Sequence, residues 1–254
     1  MATEPVANDV LLGSGRLYID RFVSGAASGN ERFVGNCTAF EIKPSTQRIE
    51  KRSSVDSARA VLRSDVTAAD LDISITLDEF NAENLALALF GEAGLYTQTG
   101  ASVTDEAHAN VQQGSYVRLA YRGISSVVVT SDPAGTTYDV TDDYTVDAVE
   151  GRIYIVPGGA IADDAEILVD YAYETQSKTA VRGVVASSIK ALLRYVSDNP
   201  DSPEHSLLVW RAALSGESAV GLISDNYANF QLTGKVESDA DTHPTEPHYR
   251  IIRR

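Results

Sequence analysis

Leu71, Ile73, Ile75 and Leu77 alternate with Asp70, Asp72, Ser74, Thr76 and Asp78, a period of two that predicts a strand with one dry face and one wet face. Immediately downstream the pattern changes. Asn81 suits the cap of a helix, Glu83 puts a negative charge in its first turn, and Gly91 offers a left-handed stop. The second half of that helix, residues 85–90, carries no polar stripe. One sheet face is too small to cover it, so a second apolar surface is expected, for instance that of another copy.

The same alternation predicts a strand over residues 15–23, with Leu17 and Ile19 set against Arg16, Tyr18 and Asp20. A turn over 24–30 leads to a second strand over 32–43, where Phe40 and Ile42 oppose Glu41 and Lys43. Late in the chain, residues 188–196, 206–214, 219–223 and 227–237 read as strands, with a turn over 197–205. In the last of these, Phe230, Leu232 and Val236 oppose Asn229, Gln231, Thr233, Lys235 and Glu237. Its wholly polar side matches that of residues 70–78, which places the two stretches in one half-wet sheet.

Between residues 44 and 65 the periodicity fades while Arg48, Lys51, Arg52, Arg59 and Arg63 accumulate against Glu50, Asp56 and Asp65. This predicts a long basic loop, and connections of that length are usually functional or ordered by a partner. Three readings compete: a solvated loop, a nucleic-acid contact, and docking on an acidic surface of a neighbouring subunit. The absence of an aromatic residue to stack on a base weighs against the second.

Residues 93–100 read as a linker into a stretch of different texture. Residues 101–175 hold 13 Asp and Glu against three Arg and seven of the 12 tyrosines, which marks an inserted module. Short β-branched or aromatic runs at 115–123, 125–131, 144–149, 151–157 and 166–174 are separated by turn signals such as Asp132-Pro133 and Pro157-Gly158-Gly159, the spacing of a small all-β sandwich. The acidic pairs are turn residues, and the tyrosines are read as core and cross-strand pairs. Residues 176–187 lead back out.

The whole chain of 254 residues has a formal net charge of -15, which opposes nucleic-acid and anionic-membrane binding. No apolar run is long enough to span a bilayer, and the first ten residues lack the composition of a signal peptide. The fold class expected is mainly β: a β-sandwich or barrel domain with one flanking α-helix and an inserted small all-β domain.

No catalytic constellation is present, and the chain is not expected to be an enzyme. His108, His205, His243 and His248 lie in turn or tail composition without metal-ligand spacing, and no nucleophile elbow or Walker loop occurs. Gly13-Ser14-Gly15 precedes a strand rather than a helix, so it is not a phosphate loop. The single cysteine, Cys37, reads as a small buried hydrophobe. No cofactor or metal is expected.

Four stretches in this order, GSGRLYIDRF, VGNCTAFEIKPSTQRIEKRSS, DLDISITLDEFNAENLALALFG and the block from ALLRYVSDNP to LTGKVES, resemble the tail tube, or major tail, proteins of long-tailed bacteriophages. The resemblance covers roughly residues 10–98 and 176–240. It implies a structural virion protein, assembled in the host cytoplasm into hexameric rings that stack as a hollow tail tube, with DNA passing through the lumen. A tape-measure protein and a tail terminator are the partners it implies.

The organisation expected is an N-terminal arm (1–12), a discontinuous tube domain (13–98 and 176–240), the inserted module (101–175), placed outside the tube, and a C-terminal arm (241–254) whose residues 249–254 dock on a neighbour. The resemblance gives Arg48, Lys51, Arg52, Arg59 and Arg63 to an inter-ring loop. It gives Asp70, Asp72, Ser74, Thr76, Gln231 and Thr233 to the lumen, and Leu85, Leu89 and Phe90 to helix packing and subunit contact. Two other readings are another tail component such as a terminator, and a carbohydrate-binding or adhesive β protein of the virion surface.

Overall fold

In the computed structural model the separated alternating stretches become neighbours in one sheet. The structure describes residues 13–55, 57–185, 188–199, 203–215, 219–223 and 225–253. The expected N-terminal arm, Asp56 of the expected loop and Arg254 of the tail lie outside them. In chain order the elements are β1 (Gly15–Arg21), β2 (Arg32–Phe33), β3 (Cys37–Arg52), β4 (Val61–Leu77), α1 (Ala82–Ala88) and β5 (Glu92–Gln98). There follow β6 (Ala101–Val111), β7 (Tyr116–Arg118), β8 (Ile124–Ser131), β9 (Tyr144–Asp147), β10 (Arg152–Ile155) and β11 (Ala165–Tyr173). The chain ends with β12 (Gln176–Arg182), β13 (Ile189–Ser197), β14 (His205–Ser215), β15 (Phe230–Val236) and β16 (Tyr249–Arg253). With 57% of residues in strands and 3% in the one helix, the protein is mainly β.

Two compact units form, one from Met1–Ala93 with Val181–Arg254 and one from Gly94–Ala180. The stretches expected as linkers on either side of the insert are not linkers: β5 and β12 pair with each other as a two-stranded ladder.

The first unit is built on a sheet in the order β2-β1-β13-β14-β15-β4-β3, with β16 also pairing β14. Strands β4 and β15 are direct antiparallel neighbours: Gln231 lies opposite Thr76, Leu232 opposite Ile75 and Thr233 opposite Ser74. The inner side collects Leu17, Ile19, Ile73, Ile75, Leu77, Leu193, Val209, Leu214, Phe230 and Leu232 into one buried cluster, each such side chain contributing about 1.5–3 kcal/mol. The sheet curls, because Phe40 of β3 meets Tyr195 of β13 at 5.9 Å between ring centroids although three strands separate them in the sheet order.

Helix α1 closes this cluster from above the sheet. Asn81 caps it, its side-chain oxygen accepting the Asn84 N–H at 2.8 Å. Asn84 is fully buried: its amide nitrogen donates to the carbonyls of Val34 (2.8 Å) and Glu79 (3.0 Å), and its oxygen accepts from Arg32. The expected stop at Gly91 is displaced by one residue. Phe90 takes the left-handed conformation (φ 50°), and the Gly91 N–H returns to the Ala86 carbonyl at 2.7 Å. Glycine is required at 91 for a different reason, since a Cβ there would lie 2.3 Å from the Arg182 carbonyl oxygen.

Other expectations also change. The strand expected over 32–43 breaks after Phe33, because Gly35 turns through φ +87° and the Asn36 N–H is held by Glu79 at 2.8 Å. Residues 219–223 form no strand, and Leu222 and Ile223 stand in solvent. The C-terminal segment joins its own sheet: β16 pairs β14, Trp210 Nε1 donates to the Glu246 carbonyl at 2.8 Å, and the Trp210 ring stacks on His243.

The second unit has two three-stranded antiparallel sheets, β6-β11-β8 and β7-β10-β9, around Ile153, Ile155, Ile161, Ile167, Val169 and Tyr144. Its tyrosines are core residues (Tyr144, Tyr171) or ring pairs such as Tyr121 stacked on Tyr173 at 3.8 Å. The Tyr171 hydroxyl donates to Glu106, and burial together with that bond pushes its phenol up. Asp143 illustrates the turn acids, accepting the N–H groups of Ala160 (2.6 Å) and Asp139 (2.9 Å), which hold its carboxyl below the usual range. Strand β6 has no counterpart in the sequence reading. Asp105 and Asn110 adopt positive φ within it, and its register against β11 shifts twice, which erases the alternation.

Asp20, expected on the wet face of β1, is instead buried at 2% exposure. Its carboxylate gathers the turn over 24–30, accepting from the Ser28 N–H (3.1 Å), the Ser28 hydroxyl (2.7 Å) and the Gly29 N–H (2.7 Å). Burial opposes its charge, but the Ser28 hydroxyl and the N–H groups of Gly29, Ser28 and Asn30 outweigh burial and hold the carboxyl below its ordinary range. A lowered native pKa contributes stability that is full above the unfolded value of about 3.9 and is lost as pH falls through the native value. Asp20→Asn is expected to lower the melting temperature at pH 7, with the gap to wild type closing below about pH 4, as scanning calorimetry across pH will show.

Candidate assembly surfaces

The stretch expected as a basic loop is a long β-hairpin. Strands β3 and β4 pair from Cys37 opposite Leu77 out to Arg52 opposite Val61, and the described residues between them at 53–55 and 57–60 are not strand. The core ends well before the tip. From residue 46 to 67 every described residue except Ser53 is exposed, so the arm runs on for roughly 20 Å at strand rise with both faces wet. Alternation is therefore absent from the sequence although the strands are regular.

This arm carries the five cations assigned to an inter-ring contact. Arg52 reaches Glu50 at 2.7 Å and Arg63 reaches Asp65 at 2.6 Å, exposed pairs of little stabilising value. Lys51 lies directly opposite Arg63, a like-charge pair that disfavours the isolated ladder. Arg59 holds a left-handed conformation in the turn (φ 47°). Beside them Ile49, Val61, Leu62 and Val66 are exposed by 66%, 46%, 66% and 51%. A two-stranded arm with apolar and like-charged side chains in water is marginal by itself. Strand β3 is also a sheet edge, whose free backbone groups can pair with another chain.

The six residues assigned to a lumen lie together on the outer face of β4 and β15. Register places Thr76 beside Gln231 and Ser74 beside Thr233, and Gln231 Nε2 donates to the Ser74 hydroxyl at 2.6 Å. The sheet adds residues that the sequence reading left out. One row runs Glu41, Ser74, Thr233, Ser215, and the next runs Lys43, Asp72, Lys235, Ala213, Lys190. Three lysines fall in one row, Lys235 among them, as its place on the polar side of residues 227–237 leads one to expect. Two of them are partnered, Lys235 by Asp70 at 2.8 Å and Lys190 by Glu237 at 2.7 Å. The bond to Asp70 holds the Lys235 ammonium above its ordinary range. The two rows hold Glu41 and Asp72 against Lys43, Lys190 and Lys235, and Asp70 and Glu237 beside them neutralise two of the three lysines.

Helix α1 spends its apolar side within its own unit. Ala86, Leu87 and Ala88 are buried, Phe90 packs on the core cluster, Leu85 is half-buried and Leu89 is 41% exposed. The second surface inferred for residues 85–90 is supplied by the curled sheet, and Leu89 is left over. Cys37 lines a mostly apolar cleft of about 450 Å³ with Leu17, Phe40, Tyr195 and Ile251, and burial pushes its thiol up. Among the described residues no group of three or more His, Cys, Asp or Glu is placed to hold a metal ion, and no helix is long and apolar enough to cross a membrane.

A family model described as "Protein of unknown function UCP028589" matches residues 10–248. The chain belongs to this family. No curated protein matches it. The UCP028589 match runs through both units, so the inserted unit lies within the region that defines the family.

The placement of α1 separates two leucines that the sequence treats alike. Leu87→Asp buries an unpaired charge and is expected to cost about 3 kcal/mol or more, whereas Leu89→Asp is expected to stay within about 1 kcal/mol of wild type. Urea denaturation of the two variants will read the difference.

Proposed function

We propose that the chain is a structural tube subunit: copies join into rings, which stack into the hollow tail of a bacteriophage virion and give DNA a passage. The observation that carries this reading is the β3–β4 arm, which leaves its own core behind and exposes Ile49, Leu62 and Val66 beside Arg48 and Lys51. Such a surface is suited to burial against a second copy, and the chain's net charge of -15 makes an acidic partner surface available on that copy.

The outer face of β4 and β15 supports the same reading. A conduit must not grip phosphates, since each neutralised phosphate adds counterion-release affinity. Hydroxyls and amides with lysines held by Asp70 and Glu237 meet that requirement. The expected assembly is a stacked, six-membered ring, with a tape-measure protein inside during assembly and a terminator at the end. DNA is cargo rather than a specifically bound ligand.

Negative-stain microscopy and sedimentation velocity of the purified chain at high concentration test the proposal; a wild-type chain that remains monomeric throughout would overturn it. Arg48→Glu, Lys51→Glu and Arg52→Glu combined are expected to lower the assembled fraction severalfold, while the unfolding midpoint moves by no more than the ~0.5 kcal/mol typical of surface changes. Tubes formed at wild-type yield by the triple variant would remove the arm from the stacking contact.

A further inference from the structure

The second unit is strongly acidic, yet its few cations converge. Between residues 94 and 180 there are 13 Asp and Glu and four basic residues, Arg118, Arg122, Arg152 and Lys178. All four line a single cleft of about 710 Å³, a size typical of small-ligand pockets. They come from β7, the segment after it, β10 and β12, so no stretch of sequence shows the cluster. Chance scatter over an acidic surface would instead distribute them as partners for separate carboxylates.

Two of the four are already engaged: Arg122 meets Glu150 at 3.1 Å and Arg152 meets Asp147 at 2.8 Å. Arg118 and Lys178 make no ion pair among the described residues. Tyr96 and Tyr116 line the same cleft and remain 42% and 55% exposed. The guanidinium of Arg152 lies 4.2 Å from the centre of the Tyr116 ring, which fixes that ring in place. Gln176, only 8% exposed, also lines the cleft, and its side-chain oxygen is buried without a donor.

From this grouping we infer that the cleft of the second unit binds a carboxylate-bearing sugar, a short segment of an acidic glycan. Arg118 and Lys178 hold the carboxylate, and an exposed tyrosine ring takes the apolar face of the sugar. A bare anion uses only the cations. A long polyanion is disfavoured, because beyond the cleft it meets the rest of a unit in which 13 Asp and Glu outnumber four basic residues. The ligand is thus confined to about the dimensions of the cleft, two or three sugar rings.

Isothermal titration of the full chain, kept unassembled at low concentration, with trigalacturonic acid, maltotriose and a hexaglutamate peptide tests the inference. Trigalacturonic acid is expected to bind at least about tenfold more tightly than either of the others, and more weakly as salt rises. The double variant Arg118→Ala, Lys178→Ala is expected to lose about tenfold in affinity with an unchanged melting temperature. Equal affinity for maltotriose would show that the cations are not used, and equal affinity for hexaglutamate that the rings are not; either overturns the inference, as does absence of binding at millimolar trigalacturonic acid. None of these outcomes depends on whether tubes form.

Discussion

The pairing of β4 with β15 is the constraint on which the first unit rests. It joins residues on either side of the inserted unit, and it sets both faces of the sheet at once. With Leu232 opposite Ile75, the apolar side chains of both strands point into the core while Thr233 and Ser74 point out. A slip of one residue would exchange the two faces and put Thr233 and Gln231 into the cluster around Phe230. The strand alternation that makes the core therefore also makes the polar outer surface.

Such a long-range ladder carries a closure cost, and the inserted unit limits it. Strands β5 and β12 pair where the chain enters and leaves that unit. The buried Gln98 amide donates to the carbonyls of Arg122 (2.7 Å) and Glu174 (2.9 Å), tying the start of the unit to its end. Once these ends are held together, β4 and β15 close a short effective loop rather than a free chain of well over a hundred residues. A folded insert is in this respect less disruptive than a disordered one.

The two units divide the polar work differently. In the first, charge is spread along rows and two of the three lysines are neutralised locally, Lys235 by Asp70 and Lys190 by Glu237. In the second, acids are widespread and cations gathered at one cleft, which favours a small anionic ligand. The β3–β4 arm belongs to neither pattern. It is ordered by cross-strand hydrogen bonds while exposing apolar and basic side chains, the surface on which the proposed stacking contact rests.

Regular alternation along the chain reports segments that have one dry side and one wet side. The alternations in β1, β4 and β15, the Asn81 cap and the compositional break at the insert were all legible, because a period or a cap reports the local environment of a single segment. The common polar side of residues 70–78 and 227–237 was legible for the same reason. Which segments meet is a property of the fold alone. The arm from β3 to β4 read as a loop because both its faces are wet, and a strand without a core face leaves no period. Asp20 read as a surface residue because its partners, Ser28 and Gly29, belong to the following turn and break the alternation rule locally. The curl of the sheet buries Ala86, Leu87 and Ala88 of α1 and leaves Leu89 exposed. Arg118, Arg122, Arg152 and Lys178 are far apart in sequence and meet at one cleft only in the fold, since charge clustering between distant residues has no one-dimensional signature.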